Sequence, residues 1–333
     1  MEKEAMFWSI KEGKIQCNLC PHNCIIREGR RGICGVREAR DGKLFTLIYA
    51  SVSSACPDPI EKKPLFHFYP GTLVYSLGSV GCNLKCMHCQ NYSISQVMPE
   101  EYYLDEILPE EAIERAKKCC EGIAWTYNEP TIWIEYALDS AKIAKKNGLY
   151  TVFVTNGYIN EDAVHEVAKH IDAANIDVKA FTKDFYKKIC KAKIEPVLDA
   201  CKSYKNKGVH VEITYLIIPT KNDDKEEIKK FCKWVLEELG NEQVIHFTAF
   251  YPHYKMNYLP PTPLKKLLEA YEIAKKEELE YIYLGNVPHG EYENTYCPDC
   301  KNLLIERYGF SSRIIGLRNG KCNVCGKKIN VIH

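Results

Sequence analysis

The sequence predicts an α/β protein built from parallel βαβ units. Short, β-branched apolar runs recur from about residue 73 onward. Amphipathic stretches of helical period fill the gaps between them. Several of these stretches open with Pro, Asp or Glu and close at Gly, as helix ends do. The strand runs are 72–78, 122–128, 149–156, 175–181, 209–218 and 243–251, and 281–287 offers a seventh. The helices fall at 109–120, 131–148, 161–171, 193–208, 224–240 and 263–279. Six such units suit an open doubly wound sheet or a partial barrel. In both, ligands bind beyond the carboxyl ends of the strands. Residues 1–71 form a cysteine-rich head, 72–290 the α/β part, and 291–333 a cysteine-bearing tail. The stretch 58–72 reads as an extended, proline-punctuated connector.

The chain has 333 residues, with 45 basic and 44 acidic side chains. A dedicated duplex-binding protein would carry a basic surplus, so this balance argues against a nucleic-acid partner. No apolar run reaches the ~18 residues of a membrane span. The first residues lack an apolar signal core, and the expected location is cytoplasmic. Seventeen cysteines in such a chain point to metals rather than disulfides. Eleven fall into three groups. Cys56, Cys119, Cys120, Cys190, Cys201 and Cys232 lie apart and read as small buried hydrophobes.

The tail pairs Cys297-x2-Cys300 with Cys322-x2-Cys325, a zinc-ribbon spacing. A closed four-thiolate site has no open position, so its role is stability; a rubredoxin-like iron is the alternative. The head carries Cys17, Cys20, Cys24 and Cys34. Four thiolates there can also close one site, with structural zinc the first expectation and an auxiliary iron–sulfur cluster the second. The middle group differs. Cys82-x3-Cys86-x2-Cys89 follows the first strand of the α/β part. Three thiolates hold three corners of a [4Fe–4S] cube and leave one iron open. Zinc on these three plus His88 is the rival, but adjacent side chains rarely reach one metal together. An open position is the mark of catalysis rather than scaffolding.

The ordered series "CNLCPHNC", "VSSACPDPIEKKPLFHFYPGT", "GSVGCNLKCMHCQNYSIS", "TYNEPT", "VTNGY", "IDVKAF", "LIIPTKND" and "HFTAFYPHYKM" resembles the AmmeMemoRadiSam-system radical S-adenosylmethionine (SAM) proteins. These are relatives of the pyruvate formate-lyase activating enzymes. The resemblance covers nearly the whole chain. It implies a partial (β/α)6 TIM-like barrel, a [4Fe–4S] cluster on Cys82, Cys86 and Cys89, and SAM on the open iron. Reductive cleavage of SAM would give methionine and a 5′-deoxyadenosyl radical that abstracts hydrogen from a substrate. The cofactors carry that chemistry, and the protein supplies position and excludes water.

The same resemblance assigns the SAM pocket. His88, before the last cysteine, stands where an aromatic ring usually lies near adenine. Tyr127-Asn128-Glu129 stands for the usual Gly-Gly-Glu, so Glu129 would meet the SAM amino group, with Asn128 beside it. Thr155 and Asn156 end the third strand. Val154 replaces the Asp often found there in activating enzymes. Asp177 and Lys179 share one face of the fourth strand by alternation, and Glu212 and Thr214 one face of the fifth. His246 on the sixth completes the set. Expected partners are SAM, an electron donor such as ferredoxin or flavodoxin, and a protein substrate or an AmmeMemo-system protein. Two rivals remain: a glycyl-radical-enzyme activase, and a non-enzymatic iron–sulfur or zinc protein that binds nucleic acid.

Overall fold

The computed structural model describes residues 1–287 and 290–333. Its main sheet has eight strands: β1 (Ser54–Pro59), β2 (Leu73–Gly78), β3 (Gly122–Trp125), β4 (Tyr150–Thr155), β5 (Ala173–Asp177), β6 (His210–Ile217), β7 (Ile245–Ala249) and β8 (Ile282–Gly285). They lie side by side in chain order. Each neighbouring pair from β2 to β8 is parallel, whereas β1 runs antiparallel to β2. A doubly wound sheet would reverse its strand order at a switch point. This sheet does not, and β1 and β8 are its two ends. It is therefore an open α/β sheet whose parallel crossovers all step in one direction.

The six longest helices are α1 (Pro109–Ala116), α2 (Ile134–Lys146), α3 (Glu161–Val167), α4 (Glu195–Asn206), α5 (Lys225–Leu239) and α6 (Leu264–Lys276). All six fall inside the spans expected from periodicity. Their apolar faces cover the sheet. Val152, Phe153, Ile176, Ile213 and Phe247 are all inaccessible to solvent. Each contributes on the order of 1.5–3 kcal/mol by burial.

Two strands are shorter than their apolar runs, and both shortenings shape the cavity described below. β3 stops at Trp125 because Tyr127 takes a left-handed φ of 70°. β5 stops at Asp177, so Lys179 lies beyond the strand instead of alternating along it. The expected connector begins in ordered sheet: its first two residues, Asp58 and Pro59, end β1, which pairs with β2 as its antiparallel edge. A further turn, Tyr186–Cys190, is π-helical. Its Ile189 and Cys190 carbonyls accept from Met87 N (3.1 Å) and Lys85 N (3.0 Å) and so brace the loop after β2.

Head and tail are docked by buried arginines. Arg37 forms a buried ion pair with Glu135 of α2 and donates to Met6 O at 2.8 Å. Arg307, on the tail strand Leu303–Tyr308, donates to Phe66 O at 2.6 Å and lies over the Phe66 ring at 4.2 Å. Ile332 extends this contact by pairing with Phe68. Among the described residues no helix is long and apolar enough to cross a membrane.

Candidate active site

A parallel sheet delivers all its βα turns to one edge, and here they surround a cavity of about 610 Å³. Such a volume is ordinary for a small-molecule site. Cys82, Cys86 and Cys89 line it from the loop after β2. The residues after β3, the end of β4 and Asp177 at the end of β5 continue the wall. Thr214 pairs with Asp177 on one side and His246 on the other, so the three form a row across β5, β6 and β7.

The thiols sit in a low-dielectric wall. Burial pushes Cys82 well above the ordinary thiol range, with the Glu129 carboxylate adding to the effect. Cys86 is raised by the neighbouring Cys190 thiol and then by burial. Such thiols are neutral until a metal displaces their protons, so a metal bound by them would release protons. Three soft donors with open space beyond them suit a [4Fe–4S] cube with one free iron. His88 is buried between the last two cysteines, and its Nδ1 has no protein partner. Burial and nearby Lys179 push its pKa down to about 3, so the ring is neutral. A neutral flat ring with an unused polar atom at the cavity wall fits a ligand there.

Glu129 is buried and already engaged. It accepts from Thr131 N (3.0 Å), Thr155 Oγ1 (2.6 Å) and Asn156 N (2.8 Å). The carboxylate thus ties the ends of β3 and β4 together and caps the turn that leads into α2. Burial raises its pKa, partly offset by those donors. Asn128 is held by Ser79 N and by Gly81 O. Asn156 donates to Asn83 Oδ1 at 2.9 Å and reaches Cys82 Sγ at 3.6 Å. Asp177 and Lys179 form an ion pair of 2.8 Å at the cavity. Burial opposes the Lys179 charge, yet the Asp177 carboxylate holds its pKa well above the usual value.

Glu212 alternates with Thr214 along β6 as expected, but its carboxylate is used elsewhere. It does not line the cavity, although Thr214 and His246 do. Its fully buried carboxylate accepts from Phe66 N (2.9 Å), His67 N (2.7 Å), His210 Nε2 (3.0 Å) and His246 Nε2 (2.7 Å). Glu212 therefore anchors the 60s segment to β6 and orients His246. Burial opposes its charge, yet the two histidines hold its pKa well below the usual value.

Sequence reasoning missed part of the wall. Lys62, Lys63 and Phe66 line the cavity from the segment after β1, and Glu293 and Phe310 reach it from the tail. Lys63 is buried, bonds Asp58 at 2.6 Å and lies 4.7 Å from the Tyr127 ring centre. Tyr127 in turn donates to Asp58 and lies 3.3 Å from Cys56. The dense charge in "CPDPIEKKP", unusual for a plain connector, was the available signal.

Glu212→Gln removes the charge that four donors converge on and costs about 3 kcal/mol at neutral pH, read from denaturation midpoints. Because the folded-state pKa is depressed, this contribution is complete above the unfolded value of 4.5 and fades as pH falls below it. The gap between wild type and variant accordingly narrows in acid.

The sequence pattern of the Radical SAM superfamily matches residues 77–234. An uncharacterized protein of Methanocaldococcus jannaschii is 48% identical, over 99% of this chain and 99% of its own length. The pyruvate formate-lyase-activating enzyme of Clostridium pasteurianum is 27% identical, over 60% of this chain and 85% of its own. Among solved structures, Streptococcus suis SuiB bound to precursor peptide SuiA shares the fold with a TM-score of 0.51 at 14% identity, covering 69% of this chain and 52% of that one. On these likenesses residues 77–234 are a radical SAM domain, and the chain is an enzyme of that class with homology to the pyruvate formate-lyase-activating enzymes.

Proposed function

We propose that this protein binds a [4Fe–4S] cluster through Cys82, Cys86 and Cys89, binds SAM in the adjoining cavity, and abstracts hydrogen from a protein or peptide substrate. The observation that carries this reading is the placement of three thiols, and only those three from the cysteine groups, on the wall of one cavity of about 610 Å³. When bound, the cluster and SAM together supply one-electron cleavage of a sulfonium and a carbon radical.

The chain's own residues bind and orient. Asp177 offers a carboxylate suited to ribose hydroxyls, and Lys179 an ammonium suited to the SAM carboxylate. The neutral His88 ring offers a face to adenine. Thr155, Asn156 and Asn128 supply fixed polar groups held by the protein's own hydrogen bonds, so they need little reorganisation. Glu129 retains acceptor capacity beyond its three internal donors for the SAM amino group. The segment after β1 and the tail close the remaining wall and limit entry of water.

In this reading the head, the α/β part and the tail act as 1–71, 72–290 and 291–333. The tail thiols hold zinc: all four Sγ atoms lie within 4.8 Å of one another, which suits one tetrahedral ion. The series of motifs supports membership of the AmmeMemoRadiSam system, working in the cytoplasm with ferredoxin or flavodoxin as donor. Homology to pyruvate formate-lyase-activating enzymes favours a second reading, an activase whose substrate is a glycine backbone of a partner enzyme.

Reconstituted protein with dithionite and SAM should release 5′-deoxyadenosine under anaerobic conditions, and Cys86→Ala should abolish release. Asp177→Asn should raise KM for SAM about tenfold, the loss of one charged hydrogen bond, with a smaller effect on kcat. No release from the wild type sinks the proposal. A glycyl doublet in electron paramagnetic resonance after incubation with a candidate partner selects the activase reading.

A further inference from the structure

The loop that carries Cys82, Cys86 and Cys89 has two sides. One faces the cavity. The other leans on the π-turn Tyr186–Cys190 and on the segment before α6. Lys85 N and Met87 N donate to Cys190 O and Ile189 O, at 3.0 and 3.1 Å, and Lys255 N donates to Met87 O at 3.0 Å. These bonds gather Lys85, Lys255 and the turn around one patch of surface. The turn and its flanks, Lys183 to Lys193, hold five lysines and one acid in eleven residues. That is a local surplus of four in a chain whose net charge is +1.

Lys187, Lys188, Lys191, Lys193 and Lys255 are exposed, and Lys85 is partly so. Asp184 pairs with Lys188 at 2.9 Å and Glu195 with Lys183 at 2.7 Å. Among the described residues no ion pair engages Lys85, Lys187, Lys191, Lys193 or Lys255. Cations gathered without counter-charge repel one another and attract an acidic partner. Beneath them the Cys190 thiol, inaccessible to solvent, hydrogen-bonds the Cys86 thiol. Once Cys86 is a metal-bound thiolate, the Cys190 S–H is the donor of that bond. The lysine patch is thus joined to a cluster ligand by a few bonds of one turn and a single hydrogen bond. Single π-turns of this kind often mark functional sites. In the proposed function the cavity side belongs to SAM and substrate, which leaves this side for the approach of an electron carrier.

We propose that the lysine patch around the π-turn docks a small acidic ferredoxin, which supplies the electron for SAM cleavage. The inference rests on the radical SAM reading and adds to it the place where the electron enters. One electron leaves the reduced ferredoxin for the cluster; no bond forms or breaks and no proton moves. SAM cleavage draws single electrons, and an iron–sulfur carrier delivers them singly. Charge complementarity steers the encounter and needs only a small interface, as in other weak redox complexes.

Titrating oxidised acidic [4Fe–4S] ferredoxin into the cluster-loaded full chain tests the surface without turnover. Calorimetry should show binding that weakens as salt rises. Lys187→Glu/Lys191→Glu/Lys193→Glu should weaken binding about tenfold and flatten its salt dependence. Lys142→Glu/Lys146→Glu, two reversals at exposed positions of α2, should leave it unchanged. At limiting ferredoxin the triple variant should also cleave SAM about tenfold more slowly, while its cleavage with dithionite, which needs no docking, matches wild type. Equal dithionite rates also show that the variant is folded and loaded. Unchanged affinity in the triple variant overturns the proposal, as does an equal loss in the α2 variant or a wild type that does not bind. Dithionite-driven release of 5′-deoxyadenosine judges the radical SAM reading separately: its absence from the wild type sinks that reading, whereas affinity decides the docking surface.

Discussion

All strands of a parallel sheet end on the same edge, and the chemistry of this protein depends on that constraint. Seven parallel strands, laid out in chain order, bring residues from positions 82 to 286 to one cavity. Without the sheet, Cys82, Glu129, Asn156 and Asp177 would have no reason to meet. The sheet is fully buried at its centre, which makes the frame stiff. The loops can therefore carry strained or polar features, such as the left-handed Tyr127 and the π-turn against the cysteine loop, without loss of position.

Polar groups buried near the cavity are costly unless paired, and their pairing divides them into two kinds. Glu212 is saturated by four donors and so is spent on structure. Glu129 is held by three and still borders the cavity. Asp177 and Lys179 satisfy each other at its edge, and His88 keeps one ring nitrogen unpartnered within the wall. The residues best able to meet a ligand are those whose hydrogen-bonding capacity the protein leaves incomplete. The same logic separates the cysteines. The tail thiols crowd to metal-binding distance of one ion, while the middle thiols stand around empty volume.

The periodic parts of the chain were legible in the sequence. β2 to β8 and six helices were all expected, because each buries a face whose period shows in the apolar residues. The three-cysteine motif was legible from its spacing just after a strand, and Asp177, Thr214 and His246 from their places on three successive strands. What escaped has physical causes. Ser54–Pro59 carries two prolines and an aspartate, which mask an antiparallel edge strand. The π-turn is too short for any period to register. Glu212 obeys alternation but turns its carboxylate to backbone and histidine donors supplied from segments far away in sequence, and no local pattern encodes that. Phe310 and Glu293 reach the cavity only because Arg307 docks the tail beside Phe66.

The central claim is that three cysteines hold a cluster with one iron open to SAM. Electron paramagnetic resonance of the reduced protein tests it most directly. The account predicts that adding SAM changes the g-values of the cluster signal, and that the SAM-responsive signal is absent from Cys82→Ala/Cys86→Ala/Cys89→Ala. A reduced cluster signal that SAM leaves unaltered, or one that responds to SAM in the triple variant, would contradict it.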